Sequence, residues 1–247
     1  MSELTSLLAR AWRDKNAVAV PEQLAPAGSD AAYGVQETLL DAIGQQAGGW
    51  KIGARAPDAA AQGAPLPAVG IHRDGAVISR AGFPVLGLEL EIAFSLARDF
   101  GAADAGISDD GVLQAIASMR VSIELVSSRV AGWPKVSPLI QLGDLQNHGA
   151  LVASEPIAYD AAANFLDPDL RFAAGGKVLF EGKGNNPAGD PRRLVAWAVR
   201  HCAERGLALP ASSILTTGTY VGAHFAPDAG VVSGEIAGFP ALQFTLE

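Results

Sequence analysis

The chain has little cysteine, little charge and few aromatic side chains, and each scarcity removes a class of protein. Cys202 is the single cysteine in 247 residues, so neither an internal disulfide framework nor a cysteine-based zinc site can be built. Its place in a helical pattern beside His201 points to a buried structural thiol rather than a nucleophile. Charged residues are 18% of the chain, below the roughly 25% usual for soluble domains. Because 49% of residues are hydrophobic, this is the opposite of the composition that keeps a chain disordered. Only five lysines occur (Lys15, Lys51, Lys135, Lys177 and Lys183), scattered in a chain of net charge -8. Phosphate contacts need clustered lysine and arginine, so a nucleic-acid partner is excluded. No window approaches the roughly 18 uncharged apolar residues that span a bilayer, which argues against a membrane partner. The N-terminal stretch has an early acid and no long apolar core, unlike a secretory signal. These readings predict a cytoplasmic protein. No Gly-x-Ser-x-Gly elbow supports serine-hydrolase chemistry, and His148, His201 and His224 have no metal-pair spacing.

What is present divides into two textures. Leu4, Leu7, Leu8 and Ala11 recur at helical spacing, predicting an amphipathic helix over Glu3 to about Trp12. A second helix is expected to be capped by Ser29-Asp30 and to carry Tyr33, Val35, Gln36, Leu39, Leu40 and Ile43. From Trp50 onward, short apolar runs broken by Gly, Pro and Asp read as strands. Two helices interrupt them, over Asp109 to Ser118 and over Pro191 to Arg205, the latter capped by Asp190. The linker Ala56 to Pro67 suggests a mostly helical N-terminal lobe over 1–66 and a β-rich catalytic body over 67–247, joined as one integrated domain.

The segment Val85 to Ala97 is the most informative. Its even positions, Leu86 to Leu96, are all large and apolar, while its odd positions carry Glu89 and Glu91 among mostly small residues. With a side-chain period of two, this is a strand with one hydrophobic face and two carboxylates about 7 Å apart on the other. Around Glu124 a second strand, Val121 to Val130, repeats the arrangement. If the strands are neighbours, three carboxylates converge, and they would raise one another's pKa unless a cation neutralised them. An all-oxygen cluster suits Mg²⁺ or Mn²⁺ rather than zinc. The competing reading is that Glu89 and Glu91 are ordinary solvent-facing acids on an edge strand.

Seven segments together strengthen the metal reading. They are Ala32-Tyr33-Gly34-Val35-Gln36, Gly49-Trp50-Lys51-Ile52-Gly53, Glu89-Leu90-Glu91-Ile92-Ala93, the run Ile123 to Arg129, Gly143 to Val152, Leu194-Val195-Ala196-Trp197, and Leu215-Thr216-Thr217-Gly218-Thr219. In this order the chain resembles the 2-keto-4-pentenoate hydratase and 4-oxalocrotonate decarboxylase group of the fumarylacetoacetate hydrolase superfamily, over nearly its whole length. The resemblance implies an α+β fold, a mixed β-roll with a helical N-terminal lobe. It also implies a divalent ion (Mg²⁺ or Mn²⁺) on Glu89, Glu91 and Glu124, a small 2-oxo acid as substrate, and a homo-oligomer. Lys51 matches a family lysine that could pair with the substrate carboxylate or move protons, through a pKa lowered by apolar surroundings. Asp144, Gln146 and Asn147 match a pocket loop, and Thr217 and Gly218 are expected to offer a hydroxyl and backbone N–H to a carboxylate. Asp74, or His72, is expected where some hydratases carry a catalytic acid.

The chain also departs from the family. Ser127-Ser128-Arg129 stands where Asp-Ser-Arg is common, and Ala54-Arg55 replaces small or hydroxyl residues after Lys-Ile-Gly. Arg55 and Arg73 could recognise an extra anionic group. The expected activity is a lyase adding water to an unsaturated 2-oxo acid, as in aromatic catabolism. The alternatives are a decarboxylase, an acylpyruvate hydrolase, or a non-catalytic 2-oxo-acid binder. The loop Gly182 to Gly189 fits neither dinucleotide nor P-loop patterns and reads as a helix-capping loop.

Overall fold

The computed structural model describes residues 1–225 and 229–247. Its strands, in chain order, are β1 (Ala47–Gly53), β2 (Gln62–Pro67), β3 (Ile71–Arg73), β4 (Val77–Ile78), β5 (Gly87–Leu96), β6 (Ile116–Val126), β7 (His148–Ala153), β8 (Ile157–Ala158), β9 (Asp169–Ala174), β10 (Lys177–Lys183), β11 (Ile214–Thr219), β12 (His224–Phe225), β13 (Gly230–Ile236) and β14 (Leu242–Leu246). The helices are α1 (Glu3–Asp14), α2 (Ser29–Ala42), α3 (Asp109–Leu113), α4 (Pro138–Gly143) and α5 (Arg192–Glu204).

Alternation along β5 decides the architecture. Leu88, Leu90, Ile92 and Phe94 are fully buried and pack with Phe172 and Phe244 in one core. The large sheet runs β2-β1-β11-β5-β6-β7-β3, with β12 also pairing β5 and β8 pairing β6; the second sheet runs β10-β9-β13-β14-β4. Gly234 of β13 lets the layers meet, since a Cβ there would lie 2.4 Å from the Leu90 side chain. Each large side chain buried between the sheets stabilises the fold by about 1.5–3 kcal/mol. With its apolar face used in this way, β5 turns its glutamates to the other side of the large sheet.

The N-terminal helices close that side. Ser2 caps α1 by accepting from the Thr5 N–H at 3.1 Å, and Leu4 and Leu8 pack with Leu39 of α2. The same cluster includes Ala64, Val130, Ile140 and Leu145, so the helices brace the loop before β7. Among the described residues no helix is long and apolar enough to cross a membrane.

Three local expectations are corrected. Helix α3 stops at Leu113 rather than Ser118, because residues from Ile116 onward pair with β5 (Ser95 with Ser118, Phe94 with Met119) and tertiary pairing outweighs local propensity. Gly28, in extended backbone, is the N-cap of α2, so Ser29 and Asp30 lie in its first turn. The stretch expected as a linker ends in β2, which pairs with β1 from Ala47↔Pro67 to Gly53↔Gln62. Residues before 67 therefore supply two strands of the large sheet.

Candidate active site

Register gathers the site. On one face of adjacent strands, Lys51 of β1 sits opposite Thr216 of β11, Thr219 pairs with Glu91 of β5, and Glu89 sits directly opposite Glu124 of β6. Ser122 is opposite Glu91. Gly49 permits the close approach of β1 and β11, because a Cβ there would lie 2.2 Å from the Ile214 carbonyl oxygen. Glu89, Glu91 and Glu124 each present an oxygen within 4.8 Å of the others. Three ionised carboxylates so close repel by about 3 kcal/mol or more per pair at an effective dielectric of about 20.

The surroundings distribute that repulsion unevenly. Burial, then the charge of Glu124, pushes Glu89 up to about 7, against the pull of Lys51. Burial and both neighbouring carboxylates push Glu91 well above its ordinary range. Glu124 goes the other way: burial opposes ionisation, yet Lys51 and His148 hold it below the usual carboxylate value. Lys51 Nζ lies 2.6 Å from Glu124 Oε1, and His148 Nδ1 lies 2.9 Å from the same oxygen. Lys51 is held above its ordinary pKa, because the three carboxylates outweigh its burial. The setting of Lys51 is therefore acidic rather than apolar, with Glu124 bonded to it and Glu89 and Glu91 nearby. Burial lowers the pKa of His148 despite Glu124, so its neutral ring serves as a hydrogen-bond donor.

Glu91 Oε2 accepts from the Thr216 hydroxyl and, at 3.0 Å, from the Gly218 N–H. The Ser122 and Thr216 hydroxyls lie 2.8 Å apart. Glu124 Oε2 is buried with no hydrogen-bond partner among the described residues. A bare carboxylate oxygen in the interior is costly unless something satisfies it. Together with two further carboxylates and no sulfur or ring-nitrogen donor among the three, that orphan oxygen fits a hard divalent ion such as Mg²⁺ or Mn²⁺. The residues present fit the expected ion.

Lys51, Glu89, Glu91, Glu124 and Gly218 line a cleft of about 640 Å³ that also receives Gln146, Asn147, Trp133 and Arg55. Leu145, Gln146 and Asn147 form a left-handed turn with φ of 48°, 51° and 59°. Each such non-glycine residue costs on the order of 1 kcal/mol or more, so the turn must be held. Arg129 holds it. Its guanidinium bonds the Asp144 carboxylate and donates at 2.7 Å to the backbone oxygens of both Asp144 and His148, bracketing the turn. The turn presents the Gln146 carbonyl to Lys51 Nζ at 3.1 Å and leaves Gln146 Oε1 and Asn147 Oδ1 buried and unpartnered among the described residues.

Of the residues expected from sequence, Lys51, Glu89, Glu91, Glu124, Gln146, Asn147 and Gly218 share this cleft. Three do not. Asp144 is fully buried behind it, its carboxylate taken by Arg129 and Ser128, so it is a structural anchor. Thr217 points to the opposite face of β11 and donates to the Ile92 carbonyl at 2.7 Å. Asp74 is exposed in the turn after β3 and accepts from the Gln243 N–H at 2.7 Å, away from the cleft. His72 does not line the cleft either. Sequence reasoning placed Ser122 on the face of Glu124 and Thr216 in a stretch offering a hydroxyl and N–H groups to a carboxylate, without assigning either to Glu91, and it missed the pairing of His148 with Glu124 and the anchoring role of Arg129. Ser122 and Thr216 were readable from the period of two, since Ser122 shares the face of Glu124 and Thr216 that of Gly218.

Fold and site together define an α+β protein, a mixed β-roll with three converging carboxylates able to hold a divalent ion beside a lysine. A family model described as fumarylacetoacetate (FAA) hydrolase C-terminal matches residues 55–247. The chain belongs to this family. It is 25% identical over 150 residues to 2-hydroxyhexa-2,4-dienoate hydratase of Comamonas testosteroni, a match spanning 60% of this chain and only 56% of that relative's length. Its fold is that of 4-oxalocrotonate decarboxylase from Pseudomonas putida G7, solved with magnesium and adipate (TM-score 0.83, 18% identity, 99% of this chain and 97% of that one). Fumarylpyruvate hydrolase from Pseudomonas aeruginosa, solved with Mn²⁺ and pyruvate, is more distant (TM-score 0.60, 11% identity, 80% of this chain and 88% of that one).

Proposed function

We propose that the chain is a metal-dependent hydratase of unsaturated 2-oxo acids, a hydro-lyase working on the 2-hydroxy-dienoate form of its substrate. One observation carries the reading: the three converging glutamates, with the buried Glu124 Oε2 lacking a partner, form the floor of a cleft that also holds Lys51. The hydratase relative supports the choice of reaction. Glu89, Glu91 and Glu124 would hold Mg²⁺ or Mn²⁺, with Glu91 fixed by Thr216 and Gly218, and Glu124 by Lys51 and His148. When bound, such an ion acts as a Lewis acid toward the 2-oxo and carboxylate oxygens and favours the enolate form.

The chain's own groups supply the remainder. Two donors of the Lys51 ammonium are engaged by Glu124 and Gln146, leaving one N–H for a ligand in the cleft. This proton can pass to the far carbon of the dienol while the Lys51 amine so formed takes up the hydroxyl proton, yielding the conjugated enone with the ammonium restored. Water then adds across the remaining double bond, its oxygen to C4 and a proton to C3. The unpartnered amide oxygens of Gln146 and Asn147 accept hydrogen bonds from that water and orient it. Walls that include Ile52, Val126 and Leu142 hold the hydrocarbon chain. This reading carries with it a cytoplasmic, homo-oligomeric enzyme.

The test is turnover of 2-hydroxypenta-2,4-dienoate followed by loss of its absorbance, with and without Mg²⁺, while carbon dioxide is monitored. Metal-dependent loss without carbon dioxide supports hydration. Release of carbon dioxide from a dioic substrate assigns decarboxylation instead, and binding without turnover makes the chain a 2-oxo-acid binder.

A further inference from the structure

The loop over residues 182–189 has no part in the chemistry above, yet it supplies Asn186, a buried side chain that lines the cleft. The Asn186 amide is fixed at both ends. Its Oδ1 accepts from the Ala188 N–H at 2.9 Å, closing an Asx turn. Its Nδ2 donates to the Thr217 carbonyl at 2.8 Å and to the Gly218 carbonyl at 3.1 Å. Both N–H groups of the amide are thereby committed, so Asn186 has no proton left to donate to a ligand. The Asn185 N–H docks the loop on the same end of β11 by donating to the Tyr220 carbonyl at 3.0 Å. The carbonyls that Asn186 holds lie in a break of the sheet. β11 pairs with β5 at Thr216↔Ala93 and again at Thr219↔Glu91, three steps along one strand against two along the other. Gly218 takes a φ of 83° inside that bulge. The Thr217–Gly218 peptide is planar, so its carbonyl and its N–H point in opposite directions. The carbonyl meets Asn186, and the N–H meets Glu91 Oε2 at 3.0 Å. With the Thr216 hydroxyl, this places two donors on Oε2 and leaves Oε1 of Glu91 for an ion.

We infer that Asn186 is a positioning residue for the metal site. By holding the Thr217–Gly218 peptide in its bulge, it aims the Gly218 N–H at Glu91 and so fixes which carboxylate oxygen is free for the ion. The inference rests on the metal reading above and adds to it a residue outside the three glutamates. Without Asn186, the peptide is hinged on a glycine, the residue with the widest backbone freedom, and its N–H can turn away from Oε2. Glu91 then regains rotamers that binding must freeze again. Partners that orient a ligand side chain in this way contribute about 10- to 100-fold to metal affinity.

Mn²⁺ titration of the full chain tests this, with bound ion read by electron paramagnetic resonance and the fold by circular dichroism. Asn186→Ser is the more informative variant: its hydroxyl can still accept from the Ala188 N–H and keep the turn, but it is too short to reach both carbonyls. Asn186→Ala, which gives up the turn as well, is the second. We expect each to bind Mn²⁺ about tenfold more weakly than the wild type, with unchanged secondary structure. The Glu91→Gln background separates positioning from a general loosening of the cleft. An amide held there by its oxygen turns its NH₂ group to the ion, so Asn186 has no ligand oxygen left to aim. In that background Asn186→Ser should change Mn²⁺ affinity by less than about twofold. Wild-type affinity in a folded Asn186 variant, or an equal tenfold loss in the Glu91→Gln background, would overturn the inference while leaving the metal site standing. No uptake of Mn²⁺ by the wild type would overturn the metal reading and the inference with it.

Discussion

At the scale of single residues, Asp144 and Asp74 show how burial and partners decide what an acid does. Asp144 is enclosed, and its charge is spent on Arg129, which in turn holds the left-handed turn. Asp144→Ala would leave Arg129 buried and uncompensated, so a loss of about 3–5 kcal/mol in urea-unfolding free energy is expected. Asp74 only ties a turn to Gln243, and Asp74→Asn should leave turnover within about twofold of wild type, as is usual for surface substitutions. A large loss of kcat in that variant would restore Asp74 to the chemistry. Lys51→Met should keep metal uptake, because the three glutamates remain, yet lower kcat by on the order of 100-fold or more if the ammonium moves the proton. Steady-state kinetics beside a metal titration separates these effects.

At the scale of elements, the site is a product of strand register. Pairing Glu89 with Glu124 and Glu91 with Ser122 makes the cluster, and a one-residue slip would send the glutamates into the core. Gly49→Val tests how far the β1–β11 approach positions Lys51. The added Cβ meets the Ile214 carbonyl, so a stability loss of about 1–3 kcal/mol is expected, with a fall in kcat but retained metal binding. Much of this was legible in the chain itself, because the apolar face of β5 and the carboxylates opposite it follow from a side-chain period of two. The motif order likewise pointed to Lys51, Gln146 and Asn147. What escaped depends on contacts remote in sequence. The shortening of α3 comes from pairing with β5, and the burial of Asp144 comes from an arginine fifteen residues earlier. Thr217 was misread for a local reason, since its parity on β11 places it opposite Thr216 and Gly218.

At the scale of the whole molecule, a second cavity, of about 390 Å³, is lined by Tyr33, Trp50, His201 and Arg205, none of which lines the glutamate cleft. His201 stacks on Trp197 at 4.4 Å, and burial with the nearby charge of Arg205 lowers its pKa from 6.5 to about 4. Below 6.5 the unfolded chain takes up a proton there that the folded chain refuses until about 4. His201 therefore removes stability as pH falls through that window, by at most about 3 kcal/mol. His201→Phe should flatten the decline in urea stability between pH 7 and pH 4.5. An equally steep decline would assign the acid sensitivity to other groups.

The central claim is that Glu89, Glu91 and Glu124 form one divalent-metal site. It is tested most directly by titrating the wild type and Glu91→Gln with Mn²⁺, reading bound ion by electron paramagnetic resonance and the fold by circular dichroism. The account predicts one ion bound per wild-type chain, a loss of at least about tenfold in affinity in Glu91→Gln, and unchanged secondary structure. Undiminished binding in a folded Glu91→Gln variant, or no uptake by the wild type, would contradict it.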